Sequence, residues 1–95
     1  MKLLNVQAHL YLSGTVQGVG MRFFIRSQAV KFSLSGFARN LEDGRVEALL
    51  QGKKEDVEAV IEKIEKGDCP GMIQDIQISW EDLSSKLERF EIRAS

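Results

Sequence analysis

Hydrophobic and polar residues follow two different periods along the chain, and the change of period separates its elements. Residues 6–14 alternate between apolar and polar side chains, which is typical of a half-buried strand. Residues 53–66 place apolar side chains three and four positions apart, which indicates an amphipathic helix. The full pattern predicts strands at residues 6–14, 34–41, 45–51, 75–81 and 87–93, and helices at residues 21–32 and 53–66.

The order of these elements predicts the fold. It is βαββαβ followed by a short C-terminal strand, and each helix has a single apolar stripe that can cover one face of a sheet. We therefore expect residues 1–95 to form a single α+β domain, a ferredoxin-like two-layer sandwich with a mostly antiparallel sheet and both helices on one face. In the fourth strand the alternation places Ile76, Ile78 and Trp80 on the core face.

A glycine-rich stretch, Leu12-Ser-Gly-Thr-Val-Gln-Gly-Val-Gly-Met-Arg22, joins the first strand to the first helix. Glycine lets the backbone adopt positive φ angles and turn several N–H groups toward one point, and the helix that follows adds its positive N-terminal end. Arg22 adds a planar set of donors that matches phosphate oxygens. This stretch predicts an anion-binding loop.

Asn40 is predicted to lie near Arg22 although eighteen positions separate them. A strand–helix–strand crossover returns the second strand parallel to the first, so both strands end at the same edge of the sheet. The glycine-rich stretch leaves the first strand at that edge, and Asn40 lies at the end of the second.

Composition excludes several classes of protein. The net charge of −1 argues against a general nucleic-acid-binding protein, and the aromatic pair Tyr11 and Phe37 lacks the signature of an RNA-binding platform. No stretch resembles a signal peptide or a membrane span, and the single cysteine, Cys69, cannot form an intramolecular disulfide. We expect a cytoplasmic protein that does not bind membranes. His9 is expected on the solvent face of its strand, with no cluster of metal ligands around it.

Two long motifs resemble those of the acylphosphatase family. The first is Leu12-x-Gly-x-Val-Gln-Gly-Val-x-Met-Arg22, and the second is Gly36-Phe-Ala-Arg-Asn40, three residues, Gly44-x-Val46, five residues, Gly52. Both match through their full length, and the predicted order of elements and the chain length also fit. Two gapped motifs on a matching fold are a far more specific signal than a single glycine-rich loop.

The resemblance implies hydrolysis of acyl phosphates, which are carboxylic–phosphoric anhydrides, without a metal or an organic cofactor. It implies a phosphate-binding loop formed by Gln17, Gly18, Val19, Gly20, Met21 and Arg22. It also implies that Arg22 and Asn40 are catalytic: Arg22 binds the phosphate and Asn40 orients the attacking water. The expected partner is therefore a small-molecule acyl phosphate, and we expect a monomer.

Two single positions and one short segment depart from the family pattern. Met21 replaces a more common phenylalanine, which changes packing rather than chemistry. Residues 69–71, Cys-Pro-Gly, are a variant of a proline-rich segment. Ser33 replaces a frequent glycine at the end of the first helix, so we expect strain or an altered helix cap there.

A non-catalytic module of the same fold, which binds phosphate or carbamoyl phosphate, is the alternative. Such modules occur inside larger proteins that resemble this chain. The sequence shows no linker, which favours a free-standing enzyme.

Overall fold

Seven elements follow one another in the predicted order. The computed structural model describes residues 5–83 and 85–94, so the predicted domain limits at residues 1 and 95 lie outside the described residues. The elements are β1 (Asn5–Thr15), α1 (Met21–Lys31), β2 (Ser35–Asn40), β3 (Val46–Lys53), α2 (Lys54–Glu65), β4 (Met72–Asp82) and β5 (Phe90–Arg93). Strand β4 is longer than predicted and β5 is shorter.

The five strands form one mixed sheet in the order β4-β1-β3-β2-β5. Strand β3 lies antiparallel between β1 and β2, so β1 and β2 run in the same direction without being neighbours. Strand β5 is the only parallel neighbour in the described sheet, and it pairs with β2. The prediction of a ferredoxin-like fold is confirmed. The C-terminal ends of β1 and β2 lie on the same side of the sheet, where the glycine-rich loop begins.

Both helices pack on one face of this sheet, and the core lies between the two layers. Fully burying one large aliphatic side chain contributes about 1.5–3 kcal/mol relative to leaving it exposed. The largest fully buried side chains come from both layers: Leu10, Leu12, Leu50, Met21, Ile25 and Ile64. Among the described residues, no helix is both long enough and apolar enough to span a membrane.

Trp80 lies on the predicted face of the sheet but outside the core. It pairs with Ala8 of β1, yet 44% of its surface is exposed. Strand β4 is an edge strand of the sheet, and helix α2 covers it only in part. The Nζ atom of Lys54 lies 6.0 Å from the centre of the indole ring.

Helix α1 ends just before Ser33, where the sequence predicts strain or an altered helix cap, and the structure shows the strain. Ser33 has a φ of +57° and is the single non-glycine residue with a positive φ among those described. The N–H of Ser33 donates to the carbonyl of Val30, and the N–H of Leu34 donates to the carbonyl of Ala29. These two bonds form a Schellman motif, in which the residue at the position of Ser33 is usually glycine.

Candidate active site

The loop between β1 and α1 has a backbone that two glycines make possible. Gly18 has a φ of +74° and Gly20, the N-cap of α1, has a φ of +85°. No heavy atom lies within 4 Å of a Cβ placed on either residue, so the backbone angle, not crowding, favours glycine at both positions. These left-handed residues turn the chain directly into the helix.

The first turn of α1 points free donors into the space above this loop. The first N–H groups of any α-helix have no acceptor within the helix, and the N-cap residue Gly20 has no side chain to cap them. The same end of the helix carries a partial positive charge. Together these features favour the binding of a small anion.

Arg22 is held in place by the last strand. It lies in the first turn of α1, is half-buried, and its Nη1 donates to the backbone carbonyl of Arg93 at 3.3 Å. This bond fixes the guanidinium against β5 and uses only part of its donors. The remaining donors can reach a ligand.

Asn40 and Arg22 line the same cavity. Asn40 is the last residue of β2, is half-buried and pairs with Val46 of β3. The cavity measures about 180 Å³, and a water molecule takes up about 30 Å³ in the liquid, so a small anion and a water molecule fit. Its walls are Val16, Gly18, Gly20, Met21, Arg22, Phe23 and Asn40. Arg22 is the one charged residue among them, so the cavity is electropositive.

Gln17 and Val19 belong to the predicted phosphate-binding loop but do not line this cavity. The Nε2 of Gln17 instead donates to the carbonyls of Leu41 at 2.7 Å and Arg45 at 3.0 Å. Gln17 therefore ties the loop to the turn that follows Asn40. Val19 is half-buried and packs against the core.

Sequence reasoning missed this tie and also missed Phe23 and Val16 as cavity residues. An amide that bridges two carbonyls 24 and 28 positions away leaves no local pattern. Phe23 could have been found, because it directly follows Arg22 at the start of the helix.

His9 lies on the other face of the sheet, as predicted, and takes no part in the cavity. Its Nε2 donates to the carboxylate of Glu47, which also accepts from Nε of Arg39 at 2.6 Å. Burial alone would raise the pKa of Glu47, but the hydrogen bonds from His9 and Arg39 outweigh burial and hold the pKa below its ordinary value. No three metal-ligating side chains come together within residues 5–83 and 85–94.

Cys69 lies in the loop between α2 and β4 and is half-buried. Burial and, secondarily, the charge of Asp68 raise the pKa of its thiol. A raised pKa leaves less of the reactive thiolate at neutral pH, so this thiol is expected to be unreactive.

Comparison with known proteins agrees with the fold and with the motifs. The family model described as Acylphosphatase matches residues 8–92. The acylphosphatase of Mycobacterium sp. (strain KMS) is 39% identical over 89 residues, which are 94% of this chain and 95% of that protein. The crystal structure of acylphosphatase from Bacillus subtilis superposes with a TM-score of 0.85 at 30% identity and covers 93% of this chain and 98% of that one. The crystal structure of T. kodakarensis HypF superposes with a TM-score of 0.80 at 30% identity, and the match covers 95% of this chain but 12% of that one. This chain belongs to the acylphosphatase family of acyl phosphate hydrolases.

Proposed function

We propose that acyl phosphate hydrolysis takes place in the cavity between Arg22 and Asn40. The observation that carries this proposal is the shared cavity itself. It joins the N-terminal end of α1, one arginine and one asparagine in a space that fits a phosphate and a water molecule. We assign phosphate binding to Arg22 and the loop amides of residues 17–22, and water positioning to Asn40.

The phosphate of the substrate is held by fixed positive groups. The first-turn N–H groups of α1 and the guanidinium of Arg22 face the phosphate oxygens, and charge that develops on these oxygens is stabilised without rearrangement of the site. Phosphoryl transfer depends mainly on such positioning and charge stabilisation.

The side-chain amide of Asn40 can both accept a hydrogen bond from water and donate one to it. In the proposed step, the water oxygen forms a bond to phosphorus, and the bond between phosphorus and the acyl oxygen breaks. The carboxylate leaves with the electron pair of that bond and needs no strong acid. A phosphate oxygen of the substrate takes the proton of the water, because an amide is too weakly basic to do so.

The assignment of Arg22 is tested by Arg22→Lys, which keeps the charge but removes the planar arrangement of donors. We expect kcat/KM for benzoyl phosphate to fall by about 100-fold or more, as when a donor to a developing negative charge is removed. Arg45→Lys, outside the cavity, is the matched control and keeps the wild-type rate. An Arg22→Lys variant with more than half of the wild-type activity contradicts the assignment.

The assignment of Asn40 is tested by Asn40→Ala. We expect kcat to fall by about 100-fold while the inhibition constant of inorganic phosphate changes much less, because the variant loses the water and keeps the anion site. Asn5→Ala, on an exposed side chain of β1, serves as the control. Full kcat in Asn40→Ala would show that the water is oriented by another group.

The proposed chemistry uses no metal and no organic cofactor. Incubation with EDTA followed by desalting is therefore expected to leave the rate of benzoyl phosphate hydrolysis unchanged. A loss of activity that returns on addition of a divalent metal overturns this part of the proposal.

A second function is favoured by the match to T. kodakarensis HypF, in which the corresponding region is 12% of a much longer chain. As the second candidate function, this chain acts as a non-catalytic module that binds phosphate or carbamoyl phosphate. Measurable phosphate binding by calorimetry together with no hydrolysis of benzoyl phosphate would favour the module over the enzyme.

We also propose that the protein acts as a monomer in the cytoplasm and does not bind nucleic acid. The two residues assigned to catalysis, Arg22 and Asn40, line one cavity within a single copy of the chain, which supports a site that works without a second copy. Light scattering after size exclusion, with specific activity measured over a range of concentrations, tests the monomer. A dimer mass, or activity per chain that rises with concentration, contradicts it.

A further inference from the structure

Phe23 is a large aromatic side chain left exposed beside the proposed phosphate site. It follows Arg22 in the first turn of α1, and 60% of its surface is open to solvent. Most exposed aromatic residues need no explanation. This one forms part of the wall of the cavity that holds Arg22 and Asn40.

Phe23 also lines a second, larger space. A groove of about 550 Å³ runs between α1 and β5, and its walls are Phe23, Arg26, Arg89, Phe90, Glu91 and Ile92. The small cavity and this groove therefore meet at one side chain. A groove of this size is in the range of sites that hold small organic molecules.

The groove combines an apolar surface with a positive edge. Phe90 is almost buried and Ile92 is half-buried, and with Phe23 they supply the apolar surface of the groove. Arg26 lies one helical turn after Arg22 and has no ion-pair partner among the residues that the structure describes. The carboxylate of Glu91 lies 3.8 Å from Nε of Arg89 and 3.5 Å from Nε of Arg93. Its negative charge offsets part of the positive charge of these two arginines on the β5 side of the groove.

We propose that this groove is the subsite for the acyl group of the substrate. It fits acyl phosphates whose acyl group has an apolar body and carries a second anionic group at its far end. With the phosphate between Arg22 and Asn40, the acyl group passes over Phe23 into the groove, and its distal anion faces Arg26. This inference rests on the proposed function, because it places the rest of the same substrate.

The apolar part of the subsite is tested with two substrates that share the phosphate but differ in the acyl group. Acetyl phosphate is too short to fill the groove, whereas benzoyl phosphate reaches it. We expect Phe23→Ala to lower the ratio of kcat/KM for benzoyl phosphate to kcat/KM for acetyl phosphate by about fivefold or more, mainly through KM. Val30→Ala, at an exposed position of the same helix outside both cavities, keeps the wild-type ratio.

The anionic part is tested with benzoyl phosphate that carries a carboxylate in the para position. We expect Arg26→Gln to lower kcat/KM for this substrate relative to benzoyl phosphate by about two- to fivefold, and the effect to shrink as salt is added. Lys31→Gln removes another exposed positive charge of α1 and leaves the ratio unchanged. An equal effect of both variants would show general attraction and overturn the role of Arg26.

The outcomes separate the subsite from the proposed function. If the wild-type protein hydrolyses none of the three substrates, the proposed function fails. If it hydrolyses them and Phe23→Ala keeps the wild-type preference within twofold, only the subsite is overturned. Circular dichroism of each variant confirms that the fold is intact.

Discussion

The backbone angle of Ser33 is unfavourable, and two hydrogen bonds at the end of α1 offset this. Its φ of +57° is unfavourable for any residue with a Cβ by roughly 1–2 kcal/mol. The two Schellman hydrogen bonds at the end of α1 form only if the chain adopts this angle. The site therefore favours glycine, which adopts the angle without strain.

We predict that Ser33→Gly raises the free energy of unfolding by about 0.5–1 kcal/mol, because the relief of strain exceeds the added flexibility of the unfolded chain. In a domain of this size the midpoint of thermal unfolding rises by roughly 2–8 °C. Ser27→Gly, within the same helix, is the control and is expected to destabilise the protein. A lower midpoint for Ser33→Gly contradicts the prediction.

Single residues differ in how far their placement could be predicted. Arg22 and Asn40 could be predicted to lie together. Asn40 ends β2, Arg22 follows β1 across the glycine-rich loop, and the crossover makes these two strands run in the same direction. The tie made by Gln17 could not, since its two acceptors are backbone carbonyls and any residue type can supply these. The partial exposure of Trp80 depends on how far α2 extends over β4. The alternation of apolar and polar residues in β4 shows which face a side chain lies on but not how far a helix covers that face.

Loops and strands form the site together, and Gln17 connects them. Its Nε2 joins the glycine-rich loop to both sides of the β2–β3 turn, close to Asn40. This tie links the proposed phosphate-binding loop to the end of β2, where Asn40 is proposed to position the water. Gln17 is a positioning residue in this arrangement.

We predict that Gln17→Ala lowers kcat more than it weakens inhibition by phosphate. Loss of the tie leaves the anion site on α1 intact but lets the end of β2 move relative to it, and small displacements of reacting groups are costly. Gln17→Glu, which places acceptors against the two carbonyls, is expected to be at least as impaired. Equal losses in kcat and phosphate affinity would instead indicate a general weakening of the loop.

The predicted bounds of both helices lie within one residue of the observed ones, whereas those of β4 and β5 differ by three residues at one end. Strand β4 extends to Met72 because its ladder with β1 continues beyond the irregularity at residues 13 and 14 of β1, which period-two alternation does not encode. Strand β5 begins only at Phe90, since its parallel ladder is limited to Gly36–Arg39 of β2. Residues 87–89 continue the alternation but lie outside this ladder, and the N–H of Leu87 donates instead to the side-chain carbonyl of Gln51 at 2.9 Å.

Across the whole molecule, the two faces of the sheet are stabilised by different interactions. One face holds the apolar core under both helices. The other face carries a charged network centred on Glu47, which is 4% exposed and binds His9 and Arg39 from the two neighbouring strands. The stability of the network depends on the ionisation of one carboxyl group.

We predict that Glu47→Gln lowers the free energy of unfolding by about 1–3 kcal/mol at pH 7, since hydrogen bonds to a charged group are lost. A carboxyl group whose pKa is lower in the folded protein stabilises it above the unfolded pKa, and this contribution is lost as the pH falls through the folded pKa. The difference between wild type and variant therefore shrinks as the pH falls below about 5.

Urea unfolding at several pH values measures this difference. Glu91→Gln is the matched control, because its carboxylate is exposed and lies 3.5–3.8 Å from its arginine partners. We expect the control to change stability little at any of these pH values. A constant difference between wild type and Glu47→Gln from pH 7 to pH 3 contradicts the assigned role of the charge.

The bond from Arg22 to the carbonyl of Arg93 has a consequence for synthesis on the ribosome. The arginine emerges early, whereas its acceptor and the strand that carries it emerge 71 positions later. The nascent chain can thus form its glycine-rich loop long before the guanidinium has its support. The guanidinium of Arg22 is expected to gain this support only after residues 90–93 have been synthesised and have docked beside β2.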